Sequence, residues 1–102
     1  MTSATETRQT HTIRPDHDIV ASHTEQFRAQ LQDLVSQGHV HLVIDLSNVK
    51  MIDSKGLAVF MLCHKSVSAA GGSLTVLTRN QDFRHLFHVM RMDEHFTIAE
   101  SL

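Results

Sequence analysis

Apolar residues recur at helical spacing in three stretches of the chain and alternate in the stretches between them. Phe27, Leu31, Leu34 and Val35 fall at i, i+4, i+7 and i+8, which predicts one face of an amphipathic helix over 23–37, ending at Gly38. In front of it, Ser22-x-x-Glu25 fits a capping box, in which the two side chains satisfy free N–H groups at the helix start. Val40, Leu42, Ile44 and Leu46 alternate, and Val43 adds apolar surface on the opposite side, so 40–46 reads as a buried strand covered on both faces. The longest apolar segment is 57–70, with Leu57, Phe60, Met61, His64 and Val67 on one stripe and Gly71-Gly72 as its stop. SLTVLT (73–78) predicts a further strand. Asn80 or Asp82 can then cap a third helix that carries Phe83, Leu86, Phe87 and Met90 at i, i+3, i+4 and i+7. A last short strand is expected near Phe96–Ile98.

The signal is weaker ahead of the first helix. A short strand at Thr12–Arg14 is interrupted by Pro15 and two aspartates, and Ile19–Ala21 offers a second extended piece. Residues 1–11 read as a polar, frayed tail, which leaves 12–102 as one domain. Strands that alternate with helices imply βαβ units. The expected class is therefore α/β, a largely parallel or mixed central β-sheet with right-handed crossovers and helices packed against it.

Composition narrows the function classes. With 41% hydrophobic and 20% charged residues, the 102-residue chain matches an ordinary soluble domain with a small core. Nine basic and eleven acidic residues give a net charge of −2, with no Lys/Arg block and neither Trp nor Tyr, so a nucleic-acid footprint is missing. No apolar run is long enough to span a bilayer, and the polar N-terminus has no secretory core segment. No membrane partner and a cytoplasmic location are expected. Cys63, the single cysteine, lies in an apolar stretch and reads as a reduced, buried thiol.

The chemistry concentrates in MIDSKGL (51–57), where an apolar strand hands over to an apolar helix. Functional loops of open α/β sheets gather at such points. The Ser54 hydroxyl has three readings there: a helix cap, a nucleophile, or a group that another protein modifies. Ser is a preferred N-cap residue. A nucleophile needs a base in hydrogen-bond reach and an oxyanion site, and the G-x-S-x-G elbow is absent. A phosphoserine at a helix start meets free N–H groups and the positive end of the dipole. Asp45 at a strand end has the look of a receiver phosphoacceptor, but the acidic pair after the first strand is lacking and no Lys follows Lys65, so a loop or cap carboxylate is the reading. His39 and His41 share a strand face, and His85 and His88 lie one helical turn apart. Neither pair comes with the further ligands of a tetrahedral site, so no metal and no other cofactor is expected.

Residues 18–98 resemble a single-domain STAS protein, the fold of anti-sigma-factor antagonists. The likeness rests on Asp45-Leu46-Ser47-Asn48-Val49, the apolar pair Met51-Ile52, Asp53-Ser54-Lys55-Gly56-Leu57 and the helix closed by Gly71-Gly72. It implies a regulatory protein without catalysis of its own, which works by partner switching. By that resemblance Ser54 is the phosphoacceptor, Asp53 its flanking acid and Gly56 the small residue that opens the helix to a partner. Asp53, Ser54, Lys55, Gly56 and Leu57 then form the partner-binding segment, and a bulky residue at 56 is expected to keep the fold and lose the partner. Lys55 stands where the family often has Ser or Thr. The implied partners are a serine kinase of GHKL type, often the anti-sigma factor itself, and a PP2C-type serine phosphatase. The alternative is a non-phosphorylated STAS subunit that docks on a transporter ATPase.

Overall fold

The computed structural model describes residues 10–101. The elements follow in the order β1 (His11–Ile13), α1 (Ala21–Ser36), β2 (His41–Asp45), α2 (Ser54–Ala69), β3 (Ser73–Leu77), α3 (Gln81–Val89), a 3-10 turn (Met92–Glu94) and β4 (Thr97–Ala99). The polar tail expected over 1–11 lies, for residues 1–9, outside the described residues, and β1 begins at His11.

The four strands form one sheet in the order β1-β2-β3-β4, and every pairing is parallel. Of the largely parallel or mixed sheet expected, the described strands therefore take the parallel form. β2 is interior, as its apolar run requires, because a strand flanked on both sides needs partners for every backbone group and apolar cover for its side chains. A strand order that advances one step at a time with right-handed crossovers puts all three helices on one sheet face. Ile13, Leu42, Ile44, Leu74 and Val76 point into the core on that side. On the other face no helix lies among the described residues. Val43 is nevertheless only 2% exposed, flanked in register by Thr12 and Thr75. The second face of β2 is thus buried as expected, but without a second helix layer among the described residues.

α2 is the central helix. The Phe60 ring lies 5.9 Å from Phe27 of α1 and 5.5 Å from Phe87 of α3, both edge-on, a favourable geometry for aromatic pairs. Of its predicted stripe Leu57, Phe60 and Val67 are buried and Met61 and His64 half-buried, and Val59 and Cys63 are buried besides. Behind α2, Gly71 takes φ +82° and Gly72 lies against the Val40 carbonyl, where a Cβ would sit 1.9 Å from the oxygen. The pair thus both stops the helix and admits the next strand.

Two local expectations are corrected. Ser22-x-x-Glu25 forms no capping box: α1 begins at Ala21 with Val20 as N-cap residue and no side-chain cap bond of its own, and Glu25 pairs with Arg28 instead. Met90 is not core: α3 ends at Val89, and Met90 is 53% exposed. Asn80 does cap α3, accepting from the N–H groups of Asp82 at 2.8 Å and Phe83 at 3.1 Å.

Candidate functional site at the head of α2

The loop from Leu46 to Asp53 carries the chain from the carboxyl end of β2 to α2, and the segment ahead of α1 holds it in place. Asp18 Oδ1 accepts from the backbone N–H of Lys50 at 2.8 Å and of Met51 at 3.2 Å. The Ile19 N–H donates to the Met51 carbonyl at 2.9 Å, and the Asp53 N–H donates to the Ile19 carbonyl at 3.2 Å. Ile19 and Ile52 form a parallel bridge. Of the second extended piece expected over Ile19–Ala21, only Ile19 forms a bridge, and it lies on the site loop; Val20 is the N-cap and Ala21 the first residue of α1.

Asp53, not Ser54, is the N-cap of α2. Its carboxylate is divided between two helices. Oδ1 accepts from the Gly56 N–H of α2 at 2.8 Å, and Oδ2 accepts from the Ala21 N–H of α1 at 2.8 Å. Each oxygen thus meets the positive end of a helix dipole. The Gly56 N–H above all, with the Ala21 N–H and Lys55, holds the Asp53 carboxyl below the usual aspartate range, against a smaller opposing effect of burial.

Ser54 therefore occupies the first helical position with its side chain exposed and outside the cap. Lys55 is exposed beside it. The other two members of the predicted partner-binding segment are not on the surface. Gly56 is buried, and a Cβ there would meet the Ile19 carbonyl oxygen at 2.3 Å. The missing side chain serves the close approach of the chain to itself rather than of a partner, so the expectation that bulk at 56 leaves the fold intact is withdrawn. Leu57 is 6% exposed and belongs to the core.

What the sequence reading missed is apolar surface next to the site. Met51 is 58% exposed. With Ile52 it borders a shallow groove whose far wall is Phe83, Leu86 and Val89 of α3, and Val89 is itself 59% exposed. Met51 was legible only as half of an apolar pair. Alternation at 51 and 52 sends one residue inward and the other outward, and that was the available signal.

The remaining candidates are not part of this cap. Asp45 is buried and accepts from the Ser47 hydroxyl and N–H and from Arg14 at 3.0 Å. The Ser47 hydroxyl chiefly, with its N–H and Arg14, lowers the Asp45 carboxyl despite burial. Cys63 is a buried free thiol whose pKa burial pushes up to about 11. The His39 ring lies 4.7 Å from His11, His41 lies 3.1 Å from the Ser73 hydroxyl and His88 lies 2.9 Å from Asp93. Among the described residues no three His, Cys, Asp or Glu side chains are grouped to hold a metal ion. No helix among them is long and apolar enough to cross a membrane.

Comparison with known proteins adds three findings. The family model described as "Mlab, STAS domain" matches residues 2–100. No curated protein matches the chain. Among solved structures, the fold is similar to that of TM1081 from Thermotoga maritima, a candidate anti-sigma factor antagonist, with a TM-score of 0.86 at 21% identity over 91% of this chain and 80% of that one. It is also similar to the anti-sigma factor antagonist SpoIIAA in its unphosphorylated form, with a TM-score of 0.74 at 19% identity over 93% and 83% of the two chains. The phosphorylated form of SpoIIAA, a Bacillus cell fate determinant, gives a TM-score of 0.70 at 20% identity over 90% and 84%.

Proposed function

The chain belongs to the STAS family, and from that premise we propose that it is a regulatory protein of the anti-sigma-factor-antagonist kind, switched by phosphorylation of Ser54. The observation that carries this reading is the division of labour at the head of α2: Asp53 takes the cap, and the adjacent hydroxyl is left exposed. A side chain needed for the helix would be a poor substrate, since modifying it would remove its hydrogen bond. Here that conflict is absent.

In this reading Ser54 is not a catalytic nucleophile. The nearest carboxylate, Asp53, has both oxygens committed to backbone N–H groups and its pKa lowered, so it is a weak base. The chain is a substrate and a ligand in this account, not an enzyme. Its partners are a serine kinase of GHKL type, acting also as the anti-sigma factor, and a PP2C-type phosphatase, all in the cytoplasm. Unmodified, the surface formed by Ser54, Lys55 and the exposed Met51 binds the partner. A phosphate adds about −1.5 to −2 charge, which roughly doubles the net charge of −2 and concentrates it at one helix start. A partner surface shaped for a neutral hydroxyl then has to bury an unpaired dianion, and the complex fails.

A second reading is a STAS subunit that docks on a transporter ATPase without being phosphorylated. The description of the matching family model, which names Mlab and no anti-sigma factor antagonist, favours it. Incubation with ATP and a candidate serine kinase, followed by intact mass, separates the two. One phosphate on the wild type and none on Ser54→Ala supports the switch. No incorporation with any kinase, together with a stable complex with an ATPase subunit, supports the second.

A further inference from the structure

We propose that the Asp53 carboxylate is a clip between the modification site and α1, and that a phosphate on Ser54 opens the α1 half of it. The proposal rests on the reading of Ser54 as phosphoacceptor. α1 has no side-chain cap of its own, since Val20 stands at its N-cap position. The acceptor for its Ala21 N–H comes from 32 residues away, from the carboxylate of the residue next to Ser54. A phosphate at 54 places a second and stronger anion beside that carboxylate, and the two compete for the same N–H donors. Lys55 is the basic group that acts on the carboxylate, and one such charge cannot neutralise both anions.

Burial decides which half of the clip gives way. Gly56 is buried, so its N–H must keep an acceptor, either the Asp53 oxygen it has or the phosphate that replaces it. Ala21 is exposed, so water can take the place of the carboxylate there at little cost. Repulsion is therefore relieved by swinging Oδ2 away from Ala21. The first turn of α1 loosens while the head of α2 stays formed. The signal written at Ser54 is then also read at the start of α1.

The test needs no kinase. The full 15N-labelled chain is prepared unmodified and with phosphoserine encoded at position 54, and its amides are followed by NMR through an acid titration. In the unmodified chain the Ala21 and Gly56 amides should titrate together with one midpoint, below the ordinary aspartate value, and Asp53→Asn should abolish both titrations. With phosphoserine at 54, Ala21 should leave this titration and exchange with solvent at least tenfold faster, while Gly56 stays protected. Ser54→Glu provides a second anion and Ser54→Gln its neutral control, should the phosphoserine chain fold poorly. Different midpoints for the two amides in the unmodified chain, or an Ala21 amide that phosphoserine and Ser54→Glu leave unchanged, would overturn the clip. Neither result bears on whether phosphate at Ser54 blocks a partner, which partner affinity reads separately.

Discussion

The heads of α2 and α3 solve the same problem in two ways. Each follows a parallel strand through a loop, and each is capped by a short polar side chain. Asn80 spends its oxygen on two N–H groups of its own helix, Asp82 and Phe83. Asp53 gives one oxygen to its own helix and the other to α1. The α3 cap is therefore a local device, whereas the α2 cap is a joint between two helices. It is reinforced by the close contact of Gly56 with Ile19. The residue after the cap differs accordingly. At the head of α3 it is the exposed Gln81, beside a cap that serves one helix; at the head of α2 it is the exposed Ser54, beside a carboxylate that serves two.

The contrast can be broken most forcefully at Gly56. Gly56→Ala puts a methyl group into the Ile19 carbonyl oxygen, and backbone on both sides has little room to yield. The expected loss is about 3 kcal/mol, at the upper end for overpacking, or a fall of roughly 12 °C or more in melting temperature for a domain of this size. Thermal melts of Gly56→Ala within a degree or two of wild type would show that the joint is not tight. Removing the caps themselves comes next. Asn80→Ala should cost about 1 kcal/mol, the usual size for a lost cap. Asp53→Ala should lower the melting temperature further than Asn80→Ala does, because it removes a charged acceptor that meets two helix dipoles, where Asn80 is neutral and serves one. Equal effects of the two would reduce Asp53 to an ordinary cap.

Acid sharpens the comparison, since Asn80 does not titrate and Asp53 does. Its folded-state pKa is lowered by the Gly56 and Ala21 N–H groups and Lys55. Its contribution is therefore fully present above the unfolded aspartate value of about 3.9. It is lost as pH falls from there through the lower folded-state value. Asp45 behaves in the same sense through Ser47 and Arg14. Asp53→Asn should flatten part of the acid limb of stability against pH, and an unchanged limb in urea melts below pH 4 would contradict the assignment. The smallest effect is expected at Ser54. Since it is not the cap, Ser54→Ala should stay within about 0.5 kcal/mol of wild type, as surface substitutions away from special features do.

The order of elements was legible because each helix and strand carries its own period, and the interior position of β2 because its apolar run is nearly continuous. The stop at Gly71-Gly72 and the cap at Asn80 were legible for the same reason: both act within a few residues of themselves. Two of the misreadings concern partners distant in sequence, and two concern where a helix begins or ends. Ser22-x-x-Glu25 has the right local spacing for a box, but the acceptor for the start of α1 is supplied by Asp53, which no local pattern reveals. Asp53 and Ser54 are both good N-cap residues, so the sequence leaves the helix register uncertain by one, and that one residue decides whether the hydroxyl is structural or exposed. Gly56 looks like an opening to the outside until Ile19 is seen against it. Met90 continues the apolar period of α3 past the point where the helix ends, and so it faces solvent.

The central claim is that one exposed hydroxyl at the α2 joint controls a partner. The most direct measurement is the affinity of the partner kinase for the unmodified chain, the chain phosphorylated at Ser54, and Ser54→Ala. The account predicts that phosphorylation weakens the complex at least tenfold, about 1.4 kcal/mol, that Ser54→Ala binds like the unmodified chain, and that Ser54→Ala takes up no phosphate. Equal affinity of all three forms, or phosphate on Ser54→Ala at wild-type stoichiometry, would contradict it.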